Sequence, residues 1–360
     1  MFLVKSTVSI PVLLLLVAVA VAQDSPDSKQ QPLFRTRSNA VLVPALVKDK
    51  NGGIIYELQA KDFIIEDDGV EQAVHLDEAP ESAPISLVVA IQLGGAASAE
   101  LPRIRTLGTM LDPILSQGRN RCAIVTFDDV VELRRSFTTN GALIAADLAK
   151  LRRGGEEAAI LDAVGYSIAL LKQEPKERQR VLLLVSETRD HGSHVATFED
   201  TVRAIADSNI LVYTLAFSPS MSEVLDTMRG YTEKQVKPPS LDERTPEEVL
   251  SGRVRADGSP RGGIQLMPLV IMAVQAMRKN TPKTIAEMTG GEYELFKSHK
   301  GFESRITEFT NHLHNRYLLS FEPKEPHPGL HKVRVRLRQP QGATIVARDR
   351  YWATAPEGDR

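Results

Sequence analysis

Cysteine is almost missing from this chain. Cys122 is the only one in 360 residues, so no intrachain disulfide is possible. It lies inside Arg121-Cys-Ala-Ile-Val-Thr-Phe127, an apolar strand run, which marks a buried, inert thiol rather than a nucleophile. A basic excess is missing too: 44 Lys and Arg stand against 46 Asp and Glu, a formal net charge of −2. Such a balance cannot neutralise a phosphate backbone and argues against a nucleic-acid partner. No apolar run reaches the roughly 20 residues of a membrane-spanning helix. Gly-rich phosphate loops, zinc-type ligand spacing, a Gly-x-Ser-x-Gly elbow and internal repeats are likewise lacking. What remains is an ordinary folding composition, 42% hydrophobic and 25% charged, long enough for two domains.

Residues 1–22 read as a signal peptide. Lys5 supplies the positive n-region, Ile10 to Val21 the short apolar core, and Ala20-Val-Ala22 a small-residue cleavage site before Gln23. No Cys follows Ala22 to carry a lipid. The expected location is therefore the periplasm or the outside, with no stable membrane span after cleavage. Losing Lys5, the one charged residue of the leader, takes 44 basic residues to 43 against 46 acidic, a charge of −3.

Residues 23–38 are polar and predict a flexible lead-in. From 39 to 80 the signal is strands: Val41, Val43, Ala45 and Val47 alternate, Asn51-Gly52 turns, and Ile54 to Tyr56 returns. Phe63 to Ile65 makes a further run, Asp67-Asp-Gly69 turns, and Val70 to Leu76 closes. This segment supplies the first portion of a β-sandwich, too thin to stand alone. Over 85–315 strands and helices alternate. Leu87 to Ile91, Cys122 to Phe127, Val181 to Val185 and Ile210 to Phe217 predict buried strands. Ala99 to Ser116, Ala142 to Leu151, Ala158 to Leu171 and Val195 to Asp207 predict helices. That alternation predicts an α/β unit with a mainly parallel sheet flanked by helices. The short hop from Phe127 to Val130 cannot be a crossover, so one edge strand is expected to be antiparallel. Residues 218–263 break the rhythm and read as a long surface insertion. Ile264 to Met277 predicts a buried or partner-facing helix; Thr284 to Met288 follows, ended by Thr289-Gly-Gly291. Tyr293 to Phe296 predicts a strand and Phe302 to Leu313 a helix. Strands return over 316–353 to complete the sandwich: Tyr317 to Phe321, Lys332 to Leu337 and Thr344 to Tyr351.

With those pieces placed, the chain from Ser38 onward resembles the bacterial exported VWFA-related proteins, centred on a von Willebrand factor type A domain. The carriers are Lys61-Asp-Phe-Ile-Ile-Glu-Asp-Asp-Gly69, Thr126-Phe127 with Phe137-Thr138, and Gly154-Gly155 with Leu161-Asp-Ala163. Ser186-Glu-Thr-Arg-Asp-His-Gly-Ser193, Thr289-Gly-Gly291 and Tyr317-Leu-Leu-Ser-Phe-Glu-Pro323 complete them. The resemblance implies a Rossmann-like centre, and the early and late strands are expected to pack as one sandwich around it.

The family's α/β domain usually holds Mg²⁺ at the end of the first strand through Asp-x-Ser-x-Ser, a Thr and a further Asp. Mg²⁺ needs hard oxygen ligands in octahedral array. In this chain the resemblance puts Gln92, Gly94 and Ala96 at the first three positions. Ala158 stands where the Thr belongs and Glu187 where the last Asp belongs. Most oxygen donors are lost, so no cofactor is expected, and the binding residues are the five degenerate positions. Gly95, Glu156, Glu157 and Asp190 are nearby candidates. A rival is a rebuilt metal site using Glu156, Glu157, Glu187 or Asp190 with the Gln92 amide.

Other constellations read more plainly. Asp190-His191-Gly-Ser193-His194 suggests a metal loop or a hydrolytic triad, but a solvated loop is the better reading. His312 and His314 are expected on the surface, and Glu156-Glu157 as a favourable start to the following helix. Arg334, Arg336 and Arg338 alternate as one polar face of a solvated edge strand. The expected function is a non-enzymatic, metal-independent adhesion or protein- and peptide-binding module. The alternatives are an exported hydrolase using the Asp190–His194 loop and metal-dependent adhesion through a rebuilt site. Binding through 218–263 competes with binding at the strand ends.

Overall fold

Strand β5 (Ile85–Gln92) is buried along its whole length, because helices cover both of its faces. Side chains of a strand alternate between faces, and here the alternation feeds two separate cores. Ile85, Leu87, Val89 and Ile91 enter one; Val88 and Ala90 enter the other. The computed structural model describes residues 40–77, 83–116, 118–217, 267–340 and 342–354. The expected signal peptide, lead-in and 218–263 insertion lie outside the described residues.

Around β5 runs a six-stranded sheet. Its members are β6 (Arg121–Phe127), β7 (Val131–Thr138), β8 (Gln179–Ser186), β9 (Leu211–Ala216) and β10 (Tyr293–Leu295), in the order β10-β9-β8-β5-β6-β7. All neighbours are parallel except β6 and β7, so the antiparallel edge expected from the Phe127–Val130 hop is present. On the first face lie α1 (Ala97–Ile104), α2 (Leu107–Met110), α3 (Asp112–Leu115), α4 (Gly141–Ala149) and the late helix His299–His314. On the second lie α5 (Ile160–Lys172), α6 (Phe198–Ala206), α7 (Met267–Lys279) and α8 (Thr281–Thr289), which makes the late helix α9. The single helix expected over Ala99–Ser116 is three short ones, with Pro102 inside α1 and Pro113 in the first turn of α3. Proline lacks the N–H that a continuous helix needs. Gly290, at φ +77°, ends α8 in the left-handed conformation open to glycine. No helix among the described residues is long and apolar enough to cross a membrane.

Two further four-stranded sheets are each built from both ends of the described chain. One has the order β13-β1-β11-β4, with β1 (Val41–Lys48), β4 (His75–Asp77), β11 (Tyr317–Phe321) and β13 (Thr344–Ala347). The other has the order β14-β12-β2-β3, with β2 (Phe63–Asp67), β3 (Val70–Gln72), β12 (Gly329–Leu337) and β14 (Arg350–Ala353). Val43, Ala45, Val47, Leu319 and Phe321 of the first meet Phe63, Ile65, Val333 and Tyr351 of the second in one shared core, making the β-sandwich.

Some sequence expectations change here. Val70–Leu76 and Thr344–Tyr351 each split into two strands that go to different sheets, and Ile54–Tyr56 makes only an isolated bridge, Lys48 to Ile54. Strand β12 is not an edge, since it pairs with β14 and β2; its Arg336 still faces outward onto Glu66, and Arg338 just beyond it onto Glu71.

Two polar joints tie the sandwich to the α/β unit. Arg348, at the corner between β13 and β14, is buried and donates to the carbonyls of Ala206 and Ser208 at the end of α6. Burial pulls its guanidinium down to about 10. Glu292 takes Lys48 Nζ and His312 Nδ1, each at 2.8 Å. His312 is therefore buried against a carboxylate, not a surface residue as expected; His314 is exposed.

Candidate functional site

The sequence-predicted positions converge at the carboxyl end of the parallel sheet. Gln92 closes β5 and is fully buried. Its side-chain carbonyl accepts the N–H of Glu187 at 2.8 Å, and its amide donates to the Gly94 carbonyl at 3.0 Å. One neutral side chain thus spans the ends of β5 and β8.

The next loop, 93–96, is pressed against 154–157. Gly154 N–H donates to the Leu93 carbonyl and Gly95 N–H to the Gly155 carbonyl, both at 3.0 Å. A Cβ on Gly94 would lie 2.2 Å from the Glu157 carbonyl oxygen, so only glycine allows this approach. Asp128, a plain turn residue by sequence, anchors the same contact. Its carboxylate accepts N–H groups of Gly155 at 2.8 Å and Val130 at 3.1 Å. Partial burial raises its pKa, but those hydrogen bonds outweigh it and the net shift is downward. Exposed Asp129 shifts upward, chiefly through its hydrogen bond with Asp128.

The third loop is closed from beneath. Ala158 is buried and exchanges backbone hydrogen bonds with His191, at 2.7 and 3.1 Å. Asp190 accepts the Leu161 N–H at 3.0 Å and the Ser193 hydroxyl at 2.6 Å, satisfying the start of α5. Asp162, inside the first turn of α5, accepts the N–H groups of His194, Val195 and Ala196, the last at 2.6 Å. Glu187 is buried and pairs with His191 Nε2. Side-chain hydrogen bonding from Glu187 raises the His191 pKa against the opposing effect of burial.

Four of the five degenerate positions, Gln92, Gly94, Ala158 and Glu187, are therefore buried framework; Ala96 is half-buried at the start of α1. Glu156 and Glu157 are exposed and lie before α5, whose first-turn acid is Asp162, so they are not its N-terminal acids. Glu156 pairs with Arg153. The carboxylates of Glu187 and Asp190 are held by His191 and by the Leu161 N–H and Ser193 hydroxyl, and the Gly94 contact leaves no room for a serine there. In the Asp190–His194 loop, Ser193 donates its hydroxyl to Asp190, and the rings of His191 and His194 face Glu187 and Glu157 instead. That arrangement is a latch.

The strand order, parallel except at the β6–β7 edge and flanked by helices on both faces, makes a Rossmann-like α/β fold. No protein-family model matches the chain, and no curated protein matches it. Among solved structures, it is similar to a conserved hypothetical protein, BatB, from Bacteroides thetaiotaomicron, at 13% identity and TM-score 0.38, over 64% of this chain and 98% of that one. The vWF domain of the type V pili tip protein Mfa5 from Porphyromonas gingivalis matches at 15% identity and TM-score 0.28, over 30% and 39%. The SpRpn10 VWA domain matches at 10% and TM-score 0.30, over 41% and 81%.

Proposed function

We propose that this chain is an exported, non-enzymatic binding module that takes a protein or peptide ligand at the strand-end loops without a cation. The observation that carries the reading is the bridge from Gln92 to Glu187. A neutral amide holds together two strand ends that a metal-gripping relative would hold around an ion. The exposed rim of the same loops carries apolar side chains: Val195 is 87% exposed, the highest among the large apolar residues described, and Val130 is 58% exposed. Solvent-facing aliphatics amid charge suit a protein partner.

The test is capture of partners from cell-envelope material by the wild type, by Val130→Asp/Val195→Asp and by a deletion of 218–263, with and without added Mg²⁺. The expected result is capture indifferent to Mg²⁺ and lost in the double variant. Capture that needs Mg²⁺, or that fails only in the deletion, overturns the reading. Export is tested by the mass of the mature protein, which is expected to begin at Gln23; a chain beginning at Met1 refutes it.

A further inference from the structure

A second polar cluster lies on the β-sandwich, away from the strand-end loops. Strand β2 ends at Asp67, and Asp68 follows in the turn to β3 at φ +48°. Asp68 is locked to the start of β12 twice: its N–H donates to the Lys332 carbonyl and its Oδ1 accepts the Lys332 N–H, both at 2.9 Å. That places the free Oδ2 beside His331, which is fully buried. The chain bends at Gly329 (φ +131°) and lays the exposed ring of His327 over that of His331, with centroids 4.0 Å apart. Tyr351 stacks on His331 at 4.6 Å.

The hydrogen-bond partners fix what each ring nitrogen must do. His331 Nε2 lies 2.7 Å from the His327 carbonyl, which can only accept, so Nε2 carries the hydrogen. In the neutral ring, Nδ1 is then a lone pair. It faces Asp68 Oδ2 at 3.0 Å and Asp67 Oδ1 at 3.2 Å. A lone pair aimed at carboxylate oxygens is repulsive unless a positive charge lies between them, either a proton or a metal ion. His327 Nε2, 3.6 Å from the same Asp68 oxygen, supplies a third donor, and all three ligand atoms lie within 4.8 Å of one another.

We propose that Asp68, His327 and His331 bind a zinc ion, with Asp67 or water completing a tetrahedral shell. Zinc–nitrogen and zinc–oxygen bonds of about 2.0–2.1 Å put tetrahedral ligand atoms about 3.3 Å apart. The 3.0 and 3.6 Å separations bracket that edge, and the exposed His327 ring, now stacked 4.0 Å from that of His331, swings outward so that both nitrogens point at one ion. Two imidazole nitrogens beside carboxylate oxygen select zinc and its transition-metal neighbours over Mg²⁺ or Ca²⁺. The supporting bonds are those a metal site needs. The His327 carbonyl holds the outer nitrogen of His331, Lys332 N–H holds the second oxygen of Asp68, and Tyr351 OH donates to Asp67 Oδ2 at 2.9 Å. His327 and Asp68 are exposed, so an ion has a way in. Bound there, zinc staples the β2–β3 turn to the loop before β12.

The test uses the full chain, stripped with chelator and titrated with Zn²⁺ by calorimetry and with Co²⁺ by visible absorption. The expected result is one ion per chain, an intense tetrahedral Co²⁺ band and a melting temperature that rises with Zn²⁺. His327→Ala removes an exposed ligand and is expected to keep the fold, weaken Zn²⁺ binding at least about tenfold and abolish the band. His191→Ala, at the competing group of Glu187, Asp190 and His191, is expected to leave binding unchanged. Absent binding, binding intact in His327→Ala or binding lost in His191→Ala each overturns the proposal, and none of them touches the Mg²⁺-independence of partner capture.

Discussion

The side-chain carbonyl of Gln92 accepts the backbone N–H of Glu187 at 2.8 Å, inside a fully buried environment where water cannot replace it. The consequences of that bond and of the loops packed around it can be measured.

Gln92→Ala removes the acceptor of the Glu187 N–H, together with the tie to Gly94. An unsatisfied buried donor costs about 1–3 kcal/mol, so the unfolding free energy from urea titration should fall by that amount at unchanged slope. Mg²⁺ should not restore it.

Gly94→Ser puts back the kind of residue that the metal-binding pattern carries. Its Cβ would fall 2.2 Å from the Glu157 carbonyl oxygen and 2.9 Å from Asp128 Cβ. The expected outcome is a loss of about 1–3 kcal/mol from overpacking and no calorimetric Mg²⁺ signal. A stable variant that binds Mg²⁺ would contradict the contact.

Asp162→Asn should loosen the latch without unfolding the chain. The charged acceptor for the N–H groups of His194, Val195 and Ala196 becomes a neutral one. Hydrogen exchange is expected to rise at 194–196 while β5 and β8 stay protected, and partner capture should weaken with it.

Glu292 links β1, α9 and the sheet through Lys48 and His312. Burial alone would raise its pKa, but hydrogen bonds from His312 and Lys48 and the charge of Arg316 bring it down to about 2, from an ordinary value of 4.5. A depressed carboxylate stabilises the fold fully above its unfolded pKa and loses that contribution as pH falls toward its folded pKa. Wild-type stability should therefore drop between about pH 4.5 and pH 2. Glu292→Gln, which removes the negative charge facing Lys48 and Arg316 but keeps a carbonyl acceptor, should lower stability at neutral pH by about 1–3 kcal/mol and flatten that acid limb.

Much of this architecture is legible in the sequence because periodicity is a local signal. The continuous apolar, β-branched-rich runs at Leu87–Ile91 and Val181–Val185 point to strands covered on both faces, and both are. The sites are less legible because a residue's type does not report its partners. Gln92 reads as a lone polar residue at a strand end, and its bonds to Glu187 and Gly94 appear only in the fold. His312 reads as surface until Glu292 closes over it, and Asp162 reads as one more acid in a helix. The Asp68 cluster escapes a search for ligand spacing because its carboxylate and its histidines stand some 260 residues apart, joined only by the pairing of β2 with β12.

The sandwich also decides where mechanical load goes. Strand β1 lies hydrogen-bonded between β11 and β13, so the first described strand and two of the last share one sheet. The α/β unit is inserted in the chain between those strands, so a pull across residues 40 and 354 would meet the ladders before it.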